Sequence, residues 1–312
     1  MSNLHFVLTR LWRYLSIYFL KPFDAINDTL VASLLSTYEW PDEVVEIASG
    51  DGVFSYVMHG GVFPIWFDRY LQVDSEKKDI FDTHMYGLSP QTHPPSQPAI
   101  AFAVDLKRSH ANKTSEIGYA REVICSDYEH LSIVSNSIPA IFYYIPHGLR
   151  DHKKAIEEVH RVLEQHGTLL ILLYDRAFEA SFLCHKYGNL TKGKLSKYLL
   201  KLDNGRFKEL TKLSDSPEGW IEFFSTNGFE VEETKCGLSS VAWKAYDVQT
   251  RPILRVLIRI TNWFPMLIRT VVKLTWMLIW FPVLLGFYFL FSNDFFVIDK
   301  QNCYVTLRLR KK

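Results

Sequence analysis

The sequence has few cysteines and almost no net charge. Its 312 residues include 4 cysteines, which lie far apart and form no Cys-x-x-Cys pair and no cysteine–histidine ligand cluster. We therefore expect no metal site, no disulfide framework and reduced thiols. Lys and Arg number 35 against 34 Asp and Glu, a formal net charge of +1. Bulk charge of this size gives no reason to expect a nucleic-acid partner.

Residues 1–28 do not have the pattern of a secretory signal peptide, because they lack a small-residue cleavage site and basic residues interrupt their apolar run. Apolar residues between Leu4 and Tyr18 recur at helical spacing, which predicts a helix with one broad apolar face. Residues 1–40 are therefore expected to form an amphipathic helical segment. It either packs on the rest of the chain or lies on a membrane surface through residues 4–20.

Hydrophobic residues make up 48% of the chain, enough for the core of one large domain. The stretch VVEIASGDGVF, residues 44–54, joins a strand-like run to a helix start through a glycine turn. Gly50 and Gly52 permit positive φ and bring backbone N–H groups close to a ligand. Ser55 stands where a dinucleotide site has its third glycine, and no clear second strand ending in an acid follows at about 20 residues. A nicotinamide-dependent oxidoreductase is therefore disfavoured.

Four segments in chain order together resemble the class I S-adenosylmethionine-dependent methyltransferases. EIASGDG, residues 46–52, is similar to the family's first motif, and PAIAFAVDL, residues 98–106, to its second strand with a terminal acid. EVICSDYEHLSI, residues 122–133, resembles the segment that flanks the cofactor's adenine. LRDHKKAIEEVHRVLEQHGTLLILLYD, residues 149–175, resembles the family's helix, Arg-Val-Leu turn and fifth strand.

The resemblance implies S-adenosylmethionine as the cofactor, bound at the carboxyl ends of the strands. Asp105 corresponds to the acid that binds the cofactor ribose, and Asp127 with Tyr128 to the pair that flanks the adenine. Ala48 departs from the family, which has glycine there, and the fourth strand lacks the familiar acid near its start. The implied cofactor-binding residues are Glu46, Ala48, Gly50, Asp51, Gly52, Asp105, Asp127 and Tyr128.

Alternating strand and helix patterns predict the fold class. Apolar residues at helical spacing follow Asp151, which can cap the helix start, and Gly167 can end the helix. TLLILLY, residues 168–174, then has the uninterrupted apolar character of a buried parallel strand. We predict an α/β fold with a doubly wound, Rossmann-like sheet of the seven-stranded methyltransferase type, formed by residues 41–250 and 297–312.

Residues 60–97 are longer than the short connection that this fold needs between its first helix and second strand. Prolines near the end of this insert exclude regular helix and central strand there, and its aromatic residues provide apolar surface. We interpret the insert as a flap over the cofactor mouth that shapes the substrate pocket. A remote surface elaboration is the alternative.

Methyl transfer from a sulfonium depends mainly on the alignment of nucleophile, methyl carbon and leaving sulfur. A base is required only where the acceptor must lose a proton. His147, directly after the fourth strand, is the candidate base, and a loop histidine without a chemical role is the alternative. Tyr143 and Tyr144 are strand residues, of which one faces the core, and a place in the acceptor pocket is their second interpretation.

A strongly apolar insertion, residues 251–296, separates the sixth strand from the last. Residues 274–291 have no charge over 18 positions, at the lower edge of transmembrane length. A single crossing would leave the last strand on the wrong side of the membrane from its sheet, so an even number of passes, or none, is required. We expect a shallow, monotopic helical hairpin, broken near Pro265 and Pro282. A buried helical pair in a core or dimer interface is the alternative.

Basic and aromatic residues of this insertion are expected at the membrane surface. Arg255, Arg259, Arg269 and Lys273 have the makeup of a basic amphipathic helix in the headgroup layer. Tryptophan side chains of the same segment suit the interface between lipid and water.

These features together predict S-adenosylmethionine-dependent methyl transfer to a membrane-resident or lipid-linked acceptor, from the cytoplasmic side of a membrane. The resemblance extends to ubiquinone and sterol methyltransferases, but no residue selects an acceptor, and a small polar one stays open. The rival hypothesis is a non-catalytic, membrane-associated binding or scaffold protein that retains the fold. Ala48 and the missing fourth-strand acid favour that rival.

Overall fold

A central sheet organises the chain, whose computed structural model describes residues 4–71, 73, 80–82, 86–88, 99–144, 151–248, 253–292 and 302–312. The strands are β1 (Glu43–Ile47), β2 (Ala99–Asp105), β3 (Ala120–Cys125), β4 (Ile138–Tyr144), β5 (Leu163–Asp175), β6 (Ser214–Asp215), β7 (Phe229–Ser239) and β8 (Asn302–Lys311). Their order is β3-β2-β1-β4-β5-β8-β7, with β6 paired to β5 outside this path. Pairs among β1–β5 are parallel, and β8 runs antiparallel to β5 and β7. The predicted doubly wound α/β fold is confirmed.

Helices cover both faces of this sheet. They are α1 (Leu4–Ile17), α2 (Pro22–Leu35), α3 (Val53–Met58), α4 (Arg108–Ile117), α5 (His152–Val162), α6 (Leu183–Leu190), α7 (Gly193–Leu210), α8 (Pro217–Thr226), α9 (Ser240–Val248), α10 (Leu254–Asn262) and α11 (Met266–Phe291). Along β5, Leu170 and Leu172 pack into the apolar cluster of α1, α2 and α11, whereas Leu169 and Ile171 pack into that of α5 and α8. Successive residues of a strand point to opposite faces, so β5 supplies both cores.

The helix before β5 begins as predicted but ends earlier. The side chain of Asp151 accepts hydrogen bonds from the backbone N–H groups of Lys153 and Lys154, which caps α5. The expectation that Gly167 ends this helix is wrong, because Leu163 already pairs with Ile138 in the sheet. The left-handed position in this stretch is His166, with φ of 64°.

The amphipathic segment at the start of the chain packs on the domain. The apolar face of α1 is buried through Val7, Leu11 and Leu15. Tyr14 donates a hydrogen bond to the carbonyl of Phe54 at 2.9 Å, and Arg10 donates one to the carbonyl of Met58 at 2.9 Å. Both carbonyls belong to α3, so α1 is held against the helix that follows the glycine turn, and its broad apolar face is covered.

The described residues of the insertion before β8, 253–292, form one short helix and one long one. Pro265 precedes α11 as expected, but the expected break at Pro282 is wrong, since α11 runs unbroken through this residue. An internal proline removes a hydrogen bond and costs about 3 kcal/mol. Met277 and Leu284, on either side of it, are fully buried against the rest of the protein, which holds both halves of the helix in place.

The charged residues of α11 face inward, contrary to the prediction that they lie in a headgroup layer. Arg269 is 2% exposed and its guanidinium contacts both carboxylate oxygens of Asp68, at 2.9 and 2.8 Å. Lys273 is fully buried and donates to the carbonyls of Ile65 and Phe67 at 2.8 and 2.6 Å. Residues of the 60–97 insert therefore bind the two basic side chains for which the sequence pattern predicted lipid headgroups as partners.

Candidate active site

The glycine turn between β1 and α3 alternates left-handed residues. Ala48, Gly50 and Gly52 have φ of 60°, 58° and 78°. A Cβ on Gly52 would lie 2.7 Å from Cε1 of Tyr119, so this glycine is needed for packing, whereas a Cβ on Gly50 would meet no atom within 4 Å. Ala48 adopts a conformation that costs a non-glycine residue about 1–3 kcal/mol. The turn is thus closed on one side and open at Gly50.

A cleft of about 440 Å³ opens beside this turn, within the usual range of small-molecule sites. It lies at the carboxyl ends of β1, β2, β4 and β5, and α2 together with Tyr18, the residue after α1, forms a further part of its wall. Its lining is Tyr18, Asp24, Asn27, Asp28, Glu46, Ala48, Ser49, Gly50, Asp51, Phe54, Ser55, Arg69, Asp105, Leu106, Lys107, His110, Tyr128, Tyr144, Tyr174, Glu209, Trp243 and Tyr304.

Asp105 ties the end of β2 to the glycine turn. Its Oδ2 accepts hydrogen bonds from the N–H of Gly50 at 2.9 Å and from the hydroxyl of Tyr128 at 3.2 Å. Its Oδ1 accepts the N–H of Lys107 at 2.9 Å and lies 3.4 Å from Nδ1 of His110. The carboxylate therefore orients three segments that meet at the cleft.

Glu46 is a buried acid at the end of β1. The hydroxyls of Ser55 and Tyr119 donate to its two oxygens, the latter at 2.6 Å. Burial raises the pKa of Glu46 to about 7, the charge of Asp105 adds to the rise, and the two hydroxyl hydrogen bonds oppose it. The acid braces the start of α3 from inside the protein.

Asp51 is paired with a cation that the sequence did not point to. The guanidinium of Arg69, in the insert, contacts Asp51 Oδ2 at 2.7 and 2.6 Å, and the hydroxyl of Tyr86 donates to the same oxygen at 2.5 Å. Burial alone would raise the pKa of Asp51, but Arg69 and the other donors around it lower it below its ordinary value. The insert thus reaches the glycine turn and forms part of the cleft.

The structure brings most of the residues implied by the resemblance together. Two of them lie elsewhere: Gly52 packs against α4, and Asp127 uses Oδ1 to accept the N–H of Glu129 at 3.0 Å in a short turn. His147 lies outside the described residues. Those that line the cleft are Glu46, Ala48, Gly50, Asp51, Asp105 and Tyr128.

Several cleft residues had no signal in the linear sequence. Asn27 and Asp28 come from α2, where these adjacent polar residues within a mainly apolar helix were the available hint. Tyr144 stacks on Phe54 with ring centroids 4.4 Å apart and lines the cleft, whereas its neighbour Tyr143 lies in the core. The aromatic side of the cleft consists of Tyr18, Phe54, Tyr144, Tyr174, Trp243 and Tyr304.

Asp28 is a further buried acid of the cleft, with a residue exposure of 8%. Burial raises its pKa to about 7, and the charge of Asp24 adds to the rise. Hydrogen bonds from Tyr18 and Asn27, and the charge of Arg69, oppose that rise without cancelling it. Asp28 therefore changes its charge near neutral pH.

The unpaired polar atoms of the cleft fit a ligand that carries hydroxyl groups. Ser49 Oγ and His110 Nε2 are buried and have no hydrogen-bond partner within the described ranges. In the tautomer whose Nδ1–H faces the Asp105 carboxylate, Nε2 of His110 is an acceptor, whereas the hydroxyl of Ser49 can donate or accept. Both residues line the cleft. The ribose hydroxyls of an adenosine donate and accept, so the residues present fit S-adenosylmethionine.

No protein-family model and no curated protein matches the chain. A provisionally named sarcosine dimethylglycine methyltransferase from Galdieria sulphuraria is 12% identical over 92% of this chain and 85% of its own, with a TM-score of 0.45. The [4+2]-cyclase SpnF is 12% identical over 92% and 81%, with a TM-score of 0.43. Geranyl diphosphate C-methyltransferase from Streptomyces coelicolor A3(2), solved with Mg²⁺, geranyl diphosphate and S-adenosyl-L-homocysteine, is 12% identical over 90% and 80%, with a TM-score of 0.40. Likenesses this distant leave the chemistry to this chain's own residues.

Proposed function

We propose that this protein is an S-adenosylmethionine-dependent methyltransferase. The observation that carries the proposal is the hydrogen bond from the N–H of Gly50 to Asp105 at the edge of the cleft. It joins the two segments that resemble the family's first motif and its ribose-binding acid. Both lie at the carboxyl ends of parallel strands, where ligands of doubly wound sheets bind.

The cofactor would supply a methyl carbon attached to a positively charged sulfur, which is already reactive. Asp105 and Tyr128 would hold its ribose and adenine, and the open face of Gly50 would admit it close to the backbone. The aromatic side of the cleft would exclude water and face the sulfonium. Alignment of the acceptor with the methyl carbon is then the main task left to the protein.

We infer that the acceptor is membrane-resident or lipid-linked, from the orientation of α11. Its buried side carries Arg269, Lys273 and Tyr288, and Tyr288 donates to Ser33 Oγ of α2 at 3.1 Å. Its exposed side is apolar, with Leu267 76% and Leu278 66% exposed. A helix that turns its charges inward and its apolar side chains outward suits a hydrocarbon surround.

Length and position agree with a helix that lies on a membrane. Among the described residues, α11 is the one helix whose length and apolar composition would allow it to cross a bilayer. However, β8 follows it and pairs with β5 and β7, so the chain must return to the side from which it left. We therefore propose monotopic docking, with Trp263, 87% exposed, and the basic residues of α10 at the interface.

One helix connects the cleft with this docking surface. α11 packs against α2, and α2 contributes Asp24, Asn27 and Asp28 to the cleft lining. Packed helices have axes about 8–10 Å apart. An acceptor held at the apolar face of α11 would therefore have to extend past α11 and α2 to reach the methyl carbon.

The rival hypothesis, a non-catalytic membrane-associated protein with this fold, is favoured by one observation. Both oxygens of Asp105 already have partners within the protein, Gly50 and Tyr128 on one and Lys107 on the other. A carboxylate has about four acceptor positions, so ribose hydroxyls would have to share them or displace Tyr128.

Calorimetric titration with S-adenosylmethionine and S-adenosylhomocysteine in detergent tests the cofactor assignment. We expect micromolar binding that is lost in Asp105→Ala and kept in Asp42→Asn, a change of an exposed acid outside the cleft. A folded wild-type protein that binds neither compound would leave the scaffold hypothesis as the better one.

Flotation with phosphatidylcholine–phosphatidylglycerol vesicles tests the docking surface. We expect Leu278→Asp to release the protein, because it places a charge in the apolar face of α11. Val134→Asp is the matched control, since Val134 is a 75% exposed apolar residue in the loop between β3 and β4. Undiminished flotation of Leu278→Asp would reject the membrane assignment, and a change from dimer to monomer in detergent would assign this face to a second copy.

A further inference from the structure

One face of α2 presents hydrogen-bond acceptors to the cleft. Asp24, Asn27 and Asp28 occupy positions i, i+3 and i+4, which lie side by side on a helix, and all three line the cleft. The amide nitrogen of Asn27 donates to Asp28 Oδ1 at 3.2 Å, so the amide oxygen is the atom of Asn27 that remains. This face thus offers acceptor atoms to whatever occupies the cleft.

Two of these acceptor atoms lack a donor. Asn27 Oδ1 and Asp24 Oδ1 are buried and have no hydrogen-bond partner in the part of the chain that the structure describes, and Asn27 as a residue is only 6% exposed. A buried acceptor without a donor costs about 1–3 kcal/mol. A ligand that brings hydrogen-bond donors to this place would recover that cost.

The charges around this face favour a cation. Lys21 is bound to the second oxygen of Asp24 at 2.5 Å, and Arg69 is bound to Asp51 at 2.6 Å. Both cations are therefore engaged by acids of their own, and Asp28 keeps only hydroxyl and amide donors from Tyr18 and Asn27. Its carboxylate remains the acid of this face that lacks an ion-pair partner among the described residues.

The aromatic side of the cleft adds a second reason. Phe54, Tyr144, Tyr174, Trp243 and Tyr304 line the same cleft as this acceptor face. Aromatic ring faces attract ammonium groups, by about 0.5–2 kcal/mol each depending on desolvation. Carboxylate and amide oxygens together with aromatic rings in the same cleft form a surround for a positively charged, hydrogen-donating group.

We propose that Asn27 and Asp28 form the acceptor subsite of the enzyme, that the subsite takes a primary or secondary ammonium group, and that the methyl acceptor is therefore an amine. The inference rests on the methyl transfer proposed above and specifies the class of its substrate. Combined with the apolar face of α11, it points to an amine carried by a lipid.

Asp28 also has a chemical task in such a reaction. An ammonium nitrogen has no lone pair, so it must first give one proton to the Asp28 carboxylate, which becomes the neutral acid. The freed lone pair then forms the bond from nitrogen to the methyl carbon, while the carbon–sulfur bond breaks and its electron pair stays on sulfur. The positive charge passes from sulfur to the methylated nitrogen, so charge and protons balance. A carboxyl whose pKa lies near 7 is suited to take that proton.

The cofactor itself carries an α-ammonium group, which is the second possible source of the same chemistry. Binding of S-adenosylhomocysteine separates the two sources, because this product retains the α-ammonium group but transfers no methyl. Asp28→Asn keeps the shape of the side chain and removes its charge, and Asp28→Glu keeps the charge. Asp42→Asn is the matched control, an exposed acid changed in the same way.

The test measures tritium transfer from labelled S-adenosylmethionine to phosphatidylcholine vesicles that contain phosphatidylethanolamine or, separately, phosphatidylglycerol. We expect transfer to phosphatidylethanolamine, a loss of about 100-fold or more in Asp28→Asn, and partial recovery in Asp28→Glu. Binding of S-adenosylhomocysteine should stay as in the wild type in both variants, and neither variant should melt at a lower temperature than the wild type. Asp42→Asn should transfer methyl groups at the wild-type rate.

The pH profile gives a second readout. The groups that face Asp28 are Tyr14 from α1, Tyr18 directly after α1, Asp24 from α2 and Arg69 from the insert. The transfer rate should rise as the pH passes through about 7, where Asp28 loses its proton, and this rise should disappear in Asp28→Asn.

Three results would overturn the inference. Transfer to phosphatidylglycerol rather than phosphatidylethanolamine would assign a hydroxyl acceptor. Loss of S-adenosylhomocysteine binding in Asp28→Asn would assign the face to the cofactor's own ammonium group. Cofactor binding without transfer to phosphatidylethanolamine would reject the aminolipid. A wild-type protein that does not bind S-adenosylhomocysteine would instead reject the proposed methyltransferase function itself.

Discussion

Asp68 and Arg69 are neighbours in the chain, yet each forms an ion pair with a different region of the molecule. Asp68 pairs with Arg269 of α11 at 2.8 Å, and both side chains are at most 2% exposed. Arg69 pairs with Asp51 of the glycine turn at 2.6 Å, and its side chain is 20% exposed and lines the cleft. The insert therefore contacts the candidate membrane helix and the candidate cofactor site through consecutive residues.

The difference between the two pairs lies in their surroundings. The Asp68–Arg269 pair is sealed, so its attraction must offset the removal of two charges from water, and its geometry is bidentate. The Asp51–Arg69 pair keeps one side toward the cleft, where it sets the charge that a ligand meets. An Arg–Asp ion pair thus holds α11 in place in one region and lines a binding site in the other.

Substitution of the acid in each ion pair tests whether burial separates the two pairs. Asp68→Asn removes one partner of the sealed pair and leaves Arg269 buried without a counter-charge, which should lower the free energy of unfolding by about 3–5 kcal/mol. Asp51→Asn makes the same change in the cleft pair, where water can reach Arg69, and should cost about 1–2 kcal/mol. Urea unfolding at fixed detergent concentration measures both. Equal losses of stability would show that burial does not make the Asp68–Arg269 pair more important than the Asp51–Arg69 pair.

Glu46, unlike Asp68 and Asp51, is a buried acid whose partners are hydroxyl groups rather than a cation. Glu46 has a pKa of about 7 in the folded protein against 4.5 in the unfolded chain, so the folded state holds its proton longer. Stability from this group is present below pH 4.5 and is lost as the pH rises through about 7, by about 3 kcal/mol. Glu46→Gln should remove that part of the pH dependence. Parallel unfolding curves of the two proteins between pH 5 and pH 8.5 would disprove it.

Gly50 and Gly52 of the turn differ in their surroundings, so the same substitution by alanine should have different effects at the two positions. Gly52→Ala should destabilise the protein by about 2–3 kcal/mol, because its Cβ would meet the ring of Tyr119 in a left-handed conformation. Gly50→Ala adds strain of about 1 kcal/mol and no clash, but it places a methyl group at the open edge of the cleft. We expect it to weaken S-adenosylhomocysteine binding more than folding, as calorimetry and thermal melting can show.

The smallest expected effect concerns Ala48, the departure from the family pattern. Its φ of 60° is strained for alanine and ordinary for glycine. Ala48→Gly should raise the stability by about 1 kcal/mol or less, since relief of strain is partly offset by the greater freedom of glycine in the unfolded chain. A small rise in melting temperature with unchanged cofactor affinity is expected. A fall in stability would show that the turn accepts alanine without strain.

Local sequence patterns predicted those strands, caps and turns whose formation depends mainly on neighbouring residues. The apolar runs of β4 and β5, the cap at Asp151 and the last strand, Asn302–Lys311, all follow from spacing and side-chain type. The glycine turn was predicted for the same reason, because positive φ selects its residues. The end of α5 was misplaced, because a strand pairing rather than Gly167 ends that helix.

The second wall of the cleft could not be predicted in this way. Asn27, Asp28 and Arg69 lie far from the motifs in sequence, and they reach the glycine turn only because α1, α2 and the insert pack over it. A polar residue within an apolar helix indicates a special environment, but the partner that makes it special is chosen by the fold.

Apolar runs, turn residues and their spacing are sufficient to predict a doubly wound sheet with a glycine turn at its edge and an apolar helix before its last strand. The direction in which that helix faces depends on contacts between distant parts of the chain. Arg269 and Lys273 suggested a lipid headgroup layer, yet Asp68 and backbone carbonyls of the insert, about 200 residues away, bind them inside the protein. A charge lies where a partner compensates its desolvation, and a distant partner has no local signature.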